Sequence, residues 1–380
     1  MPTGQHTNAL NEHIYDVVII GMGAAGVGVS VALMDAGIEN FLALERHEVG
    51  GSFNRWPAEM RFITPSFPTN SVGMLDINSV AIGASPAFGL QVEHPTGKQY
   101  AAHLVSIVEA FDLPVREQID VKQITPVDDL FHIDTNTERF VARHVIWAAG
   151  DFQYPNLDSF DGAAHAQHIA TIESYKGLEG DDFIVIGGYE SGVDAAYHLA
   201  QRGKRVRIFD SGCPWDLETS DPSVALSTYT LERMRSEPFT RQVELFPNTP
   251  VESLTQGASG FEITTSAGER FQTLAKPILA TGFSGSHRLI QHLFEEGEDA
   301  FPLLNERDES TRVPGLFLCG PSVRHEGQIF CFIYKYRQRF AVVAKAIATS
   351  IGLVAEELES YRMWGMYLDD LSCCGEECIC

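Results

Sequence analysis

The stretch YDVVIIGMGAAG, residues 15–26, narrows the folds open to this chain more than any other feature. A short apolar run opens directly into Gly21, Gly23 and Gly26 at GxGxxG spacing. The amphipathic stretch VGVSVALMDAG follows, then a second apolar run, FLALE, that ends in Glu45. Strand, glycine turn, helix and strand in that order predict the opening of a parallel α/β sheet. Gly21 makes the tight turn, Gly23 lets the backbone approach a pyrophosphate, and Gly26 permits close packing of the helix. The helix N-terminus adds unpaired N–H groups and the positive end of its dipole. Glu45 is placed to accept hydrogen bonds from the ribose hydroxyls of an adenosine.

The same pattern recurs at FIVIGGYESGVDAAYHLAQRGKRVRIFD, residues 183–210. Gly187 and Gly192 hold the first and third glycine positions, and Tyr189 replaces the second. Asp210 closes the second strand, where a carboxylate repels a 2′-phosphate and accepts from a free 2′-hydroxyl. That favours NADH, while Arg205 and Arg207 nearby keep NADPH open. Two dinucleotide sites imply electron transfer between two bound cofactors, FAD in the first and NADH or NADPH in the second. VIWAAG (145–150) and PILATGF (277–283) read as crossings between domains, and GLFLCGPS (315–322) as a late strand returning to the first. Gln328 is expected to open an apolar helix whose N-terminus faces the flavin. The expected organisation is a first part of an FAD domain over 1–155, an inserted NAD(P) domain over 156–280, a second FAD part over 281–355, and a cysteine-rich tail over 356–380.

Composition excludes other classes. A formal net charge of −24 argues against nucleic acid and anionic membrane surfaces. The N-terminal MPTGQHTNALNEH lacks an apolar leader, and FAVVAKAIATSIGLVAEEL carries Lys345 and ends in glutamates, so neither is a membrane segment. Of 7 cysteines, Cys373, Cys374, Cys378 and Cys380 crowd the last residues. An odd, end-loaded set is not a secreted disulfide framework and points to redox or metal chemistry in a reducing cytoplasm.

On GMGAAG, Glu45 with Gly50-Gly51-Ser52, VIGGYESGVDAA and ILATG, the chain resembles the two-dinucleotide-domain flavoproteins. It looks most like the small thioredoxin-reductase-like members, above all the bacillithiol disulfide reductase group. The resemblance implies an α/β fold of two Rossmann-like three-layer domains, and it allows a homodimer. It places Gly21, Gly23, Ala25, Gly26, Glu45, Gly51, Ser52, Gly150, Gly320 and Gln328 at FAD. Gly187, Tyr189, Gly192 and Asp210 fall at the nicotinamide dinucleotide. Three departures bear on function. No CxxC precedes the second glycine loop, in HIATIESYKGLEGDD; Ala25 stands where the bacillithiol group often has a cysteine; and Pro321 replaces the Asp that usually follows the last FAD glycine. The FxGxxxH linker of flavin monooxygenases is approached by Phe160-Asp161-Gly162, with His165 and His168 out of step. Leu371-Ser372-Cys373-Cys374-Gly375 resembles the paired-cysteine tail of mercuric reductases.

The expected activity is transfer of electrons from NADH or NADPH through FAD to a small-molecule or protein disulfide, or to a thiol-bound soft metal ion. Cys373, Cys374, Cys378 and Cys380 are the expected redox relay, with soft-metal capture or an idle tail as alternatives. A flavin monooxygenase and a metal-carrying flavoprotein are the competing readings. Met60 to Ser66 are expected to line the active site, and of the histidines His325 has the best claim to transfer a proton, against the commoner role of a hydrogen-bonded structural residue. Cys319 and Cys331 read as small buried hydrophobes, and Lys335, Arg337 and Arg339 as a solvated helix face.

Overall fold

The computed structural model describes residues 13–68, 75–219, 221–297, 299–325 and 327–372. Cys373, Cys374, Cys378 and Cys380 lie outside the described residues. Strand Ile14–Ile20 pairs in parallel with Phe41–Leu44 on one side and Arg139–Trp147 on the other. Val17 to Ile20 and all of Phe41–Leu44 are buried, which is why these runs are continuously apolar rather than alternating. The outer edge of Arg139–Trp147 is divided. Arg139 to Ala142 pair antiparallel with Leu130–Thr135, and Val145 to Trp147 pair in parallel with Leu316–Leu318. The late strand therefore brings the chain back to the sheet in which it began.

Between those visits the chain builds a second parallel sheet, in the order Val243–Phe246, Arg205–Phe209, Asp182–Ile186, Ile278–Leu279, Gln167–His168. A three-stranded antiparallel sheet, Val251–Gly257, Gly260–Thr265 and Arg270–Thr273, shares a core with it through Leu254 and Ile263. Two Rossmann-like α/β units result, as the repeated glycine pattern predicts. Helix Ala24–Asp35 is buried from Ala24 to Leu33, so its apolar surface is enclosed on all sides. Helix Phe340–Ser350 covers it, and a Cβ on Gly28 would stand 2.2 Å from the Phe340 ring. Leu358, Tyr361, Met366 and Tyr367 join the same core, so much of the segment expected as tail is packed against the first unit. Among the described residues no helix is long and apolar enough to cross a membrane.

Three expectations are corrected here. Arg337 and Arg339 are not a solvated face: they are only 5% and 1% exposed. Arg339 donates to both oxygens of the fully buried Asp308, at 2.9 and 3.0 Å, and to the carbonyls of Glu306 and Leu368. Arg337 donates to the carbonyls of Asp76 and Ser79. The planar, five-donor guanidinium is suited to buried sites where several acceptors converge, which helical periodicity cannot reveal. His325 belongs to the same network, with Nε2 2.5 Å from Asp308 Oδ1, and it holds structure rather than facing the flavin site. Gln328 opens no helix. It lies in strand Gln328–Ile329, paired with Arg324–His325, and the helix starts at Ile333 behind Phe332. Gly327, at φ 85°, turns that hairpin and interrupts the helix that the following apolar run suggests.

Candidate active site

The first glycine loop is held by its own backbone. Gly21 has φ 99°, and a Cβ there would stand 2.7 Å from the Ala148 carbonyl. A Cβ on Gly26 would stand 1.9 Å from the Gly21 carbonyl oxygen, so only glycine lets the helix start this close to the strand. At Gly23 the added atom meets nothing within 4 Å. That side of the loop is open. Glu45 is buried and braces the loop: its Oε2 accepts from Met22 N at 2.7 Å and its Oε1 from His47 N at 2.9 Å.

This loop forms one wall of a cavity of about 340 Å³. Gly21, Gly23, Ala25, Glu45, Gly51, Ser52 and Gly150 all line it. Gln153 fixes Ser52 by donating to its Oγ at 3.1 Å. Gly26 lies behind the wall, and Gly320 packs against it, since a Cβ on Gly320 would stand 3.2 Å from that of Ala25. Gln328 is not on the lining. The floor is aromatic, with Phe53, Trp56, Phe62, Phe152 and Phe283. Met60 to Thr64 line the cavity, whereas Pro65 and Ser66, expected with them, do not. An open Gly23, a braced acid beyond it and an aromatic lining fit FAD.

The second loop repeats the construction. Gly187 has φ 101°, with a Cβ position 2.4 Å from the Ala280 carbonyl oxygen, and a Cβ on Gly192 would stand 1.9 Å from the Gly187 oxygen. Asp210 Oδ2 accepts from Gly188 N at 2.6 Å and Oδ1 from Gly212 N at 2.8 Å, matching Glu45 bond for bond. The turn, the helix N-terminus and the acid suit a pyridine dinucleotide. Tyr189 is the exception: its side chain reaches across the loop, and its hydroxyl donates to Ala225 O at 2.8 Å. Gly187, Tyr189, Gly192 and Asp210 do not line the first cavity, but Glu190, Ser191 and Asp194 from the helix they open do.

The two units are joined beside this cavity. Glu59 accepts from Ser174 Oγ at 2.6 Å and Tyr175 N at 3.0 Å, and Ala58 N donates to Glu173 O. Asp194 is held by Arg233 at 2.6 Å and by the Tyr175 hydroxyl at 3.0 Å. Burial raises the Asp194 carboxyl, but the neighbouring His198, 3.5 Å away, and the Arg233 charge outweigh it and leave it below its ordinary value.

Asp151 and Cys331 are among the cavity residues that escaped sequence reasoning. Asp151, directly after Gly150, lines the cavity, and burial raises its carboxyl above the ordinary carboxylate range. Cys331, read as a small hydrophobe, also lines it and is partly exposed. A charged residue immediately after a strand-end glycine was the available signal for Asp151. Cys331 gave none, because its place depends on the hairpin before it. Among the described residues no group of three or more His, Cys, Asp and Glu is placed to hold a metal ion.

Comparison with known proteins agrees with this architecture. The uncharacterised oxidoreductase CzcO of Bacillus velezensis is 29% identical over 199 residues, 50% of this chain and 52% of that protein. The chain thus spans about half the length of such relatives. The bacilliredoxin reductase Bdr of Bacillus subtilis is 24% identical over 80% of this chain and 88% of its own length. The solved bacillithiol disulfide reductase Bdr (YpdA) from Bacillus cereus superposes with a TM-score of 0.72 at 21% identity, covering 89% of this chain and 100% of that one. Residues 18–320 match the family described as pyridine nucleotide-disulphide oxidoreductase, and the chain belongs to that family.

Proposed function

We propose that the protein takes two electrons from NADH or NADPH and passes them through FAD to a disulfide, with the C-terminal cysteines as relay. The observation that carries this is the shared cavity. Gly21, Gly23 and Glu45 of the first loop stand on one wall, and Glu190, Ser191 and Asp194, from the helix opened by the second loop, stand on another. FAD, when bound, supplies the step between a hydride donor and a two-electron acceptor. The chain's own residues do the rest. The open face of Gly23 admits the pyrophosphate, Glu45 orients the adenosine, and the aromatic walls exclude water from the ring. Asp210 favours the free 2′-hydroxyl of NADH, which stopped-flow reduction with each nucleotide tests; faster reduction by NADPH removes that preference.

The tail reading is supported by where the tail begins. Leu368 N donates to Gln338 O at 3.0 Å, and Arg339 holds the Leu368 carbonyl. Gln338 follows Tyr336, which lines the cavity. A chain ending at Leu371 keeps every residue assigned to FAD and the nucleotide. It is expected to stay yellow and be reduced normally while losing disulfide turnover. Full turnover in the truncated chain removes the relay. Loss of only Cu(I) or Hg(II) binding, with turnover intact, makes the tail a metal carrier instead.

A further inference from the structure

Tyr189 caps helix Glu190–Ala200 at the middle position of the second loop, and its ring is held from outside that loop. Its hydroxyl donates to Ala225 O at 2.8 Å, with Pro222 O 3.4 Å away. Both carbonyls belong to residues 221–227, a segment tied at its two ends. At the far end, Ser227 N donates to Glu190 Oε1 at 2.5 Å, within the second unit. At the near end the tie comes from the first unit. Lys335, expected with Arg337 and Arg339 on a solvated face, instead reaches across: its Nζ donates to Asp221 Oδ1 at 2.8 Å and to Ser223 Oγ at 2.6 Å. Ser223 Oγ donates in turn to Ile329 O at 3.3 Å, also in the first unit. Asp221 Oδ1 accepts from Ser223 N at 2.9 Å as well, so the lysine grips a turn already closed on itself. Lys335 lies in helix Ile333–Tyr336, whose Ile333 and Tyr336 line the cavity. Hydrogen bonds and one short backbone segment therefore lead from the cavity wall to the ring on the second loop.

We infer that Lys335 is a positioning residue for the nicotinamide nucleotide: it fixes residues 221–227 and, through them, holds the Tyr189 ring over the face of the second loop that a pyrophosphate approaches. The inference rests on the reading of the second loop as the nucleotide site and adds what sets its affinity. A dinucleotide brings its pyrophosphate against the backbone at the middle glycine position, so a ring standing there must turn aside. A tyrosine without a partner turns between side-chain rotamers at little cost. Tyr189 must first give up its bond to Ala225 or carry the segment with it, and the segment moves only if Lys335 releases Asp221 and Ser223. The lysine bond to a carboxylate is charge-assisted and holds harder than a neutral donor would. The nucleotide-competent arrangement is thus a minor one, and the apparent affinity is lowered by the fraction of molecules that occupy it. The first loop carries no such device, because Gly23 has no side chain to hold.

The test is calorimetric titration of the full chain with NAD⁺ and, separately, NADP⁺. Lys335→Met is expected to lower the Kd of the nucleotide that binds by roughly fivefold, the worth of one hydrogen bond. Tyr189→Phe keeps the ring, loses only the hydroxyl, and is expected to do the same. The double variant is expected to gain nothing further, because both changes release one latch. Lys335→Arg keeps a cation for Asp221 and is expected to restore the wild-type Kd. Tighter binding on loss of a side chain is the discriminating sign, since a lysine that merely supported the fold would weaken binding when removed. A raised Kd in Lys335→Met means that the lysine meets the nucleotide itself, and it overturns the inference. An unchanged Kd in that variant, or effects of the two single changes that simply add, also overturns it and leaves the proposed function standing. If neither nucleotide binds the wild type or any variant, the second loop is no nucleotide site, and the proposed function falls together with the inference.

Discussion

The two glycine loops share one plan and part at the middle glycine position. In both, the first glycine takes a left-handed turn against the carbonyl of a neighbouring strand end, and the third packs its Cα onto the carbonyl of the first. In both, a carboxylate at the end of the next strand accepts from the second loop residue and from the residue two places after itself. At the middle glycine position they part. Gly23 faces open space, whereas Tyr189 extends a ring that the Asp221–Ser227 segment holds by its hydroxyl. The lesson is that turn geometry and ligand access are separable. The first and third glycines make the loop; the middle residue decides how close a phosphate can come.

The helices behind the loops offer the largest test of that comparison. Asp194 on the second helix is buried against Arg233, so Arg233→Met leaves a carboxylate without its cation and is expected to cost about 3–5 kcal/mol. Urea unfolding followed by Trp215 fluorescence reads this. A loss well under that range means that Tyr175 and His198 suffice to hold Asp194.

Transplanting the difference comes next. Gly23→Tyr gives the first loop the second loop's feature and is expected to weaken FAD binding by roughly 10²-fold, about 2.7 kcal/mol. The urea midpoint of the flavin-free protein should barely change, because nothing lies within 4 Å of the added Cβ. Equilibrium dialysis with FAD measures the first effect. Unchanged affinity would mean that the pyrophosphate does not pass over Gly23.

The reverse exchange is smaller. Tyr189→Gly opens the second loop but gives up the bond to Ala225, so the KM for the nicotinamide nucleotide is expected to fall about tenfold, near 1.4 kcal/mol. The lost hydrogen bond offsets part of that gain by about 1 kcal/mol in stability. A rise in KM would show that Tyr189 contacts the nucleotide favourably, by stacking, rather than excluding it.

The smallest effect is a pH dependence. The Asp194 carboxyl has its folded value lowered, so its contribution to stability is fully present above the unfolded value of about 3.9 and is lost as pH falls through the folded value. Acid titration is expected to loosen the second unit over that window in the wild type. Arg233→Met should flatten the response; an unchanged acid midpoint in that variant would remove Asp194 as its source.

Local chemistry was legible without any tertiary information. Gly21, Gly26, Gly187 and Gly192 declare themselves because a strand-to-helix turn of that tightness excludes a Cβ, wherever in a protein it occurs. The apolar runs at 17–20 and 41–44 declare a doubly covered parallel sheet for the same kind of reason, since both faces of each strand must be dry. What depends on distant segments meeting could not be read this way. Arg337 and Arg339 follow a helical spacing that suggests solvent, and only the approach of Asp76, Ser79, Asp308 and Leu368 turns them into buried anchors. Cys331 looks like core filler until a hairpin turned by Gly327 sets it on the cavity wall. Sequence alone determined the two loops and the sheets that carry them, because those obey steric rules a few residues long. Tertiary structure decided which polar groups are buried and which thiol faces the cofactor chamber, because burial and electrostatic neighbourhood belong to the assembled surface and not to any one segment.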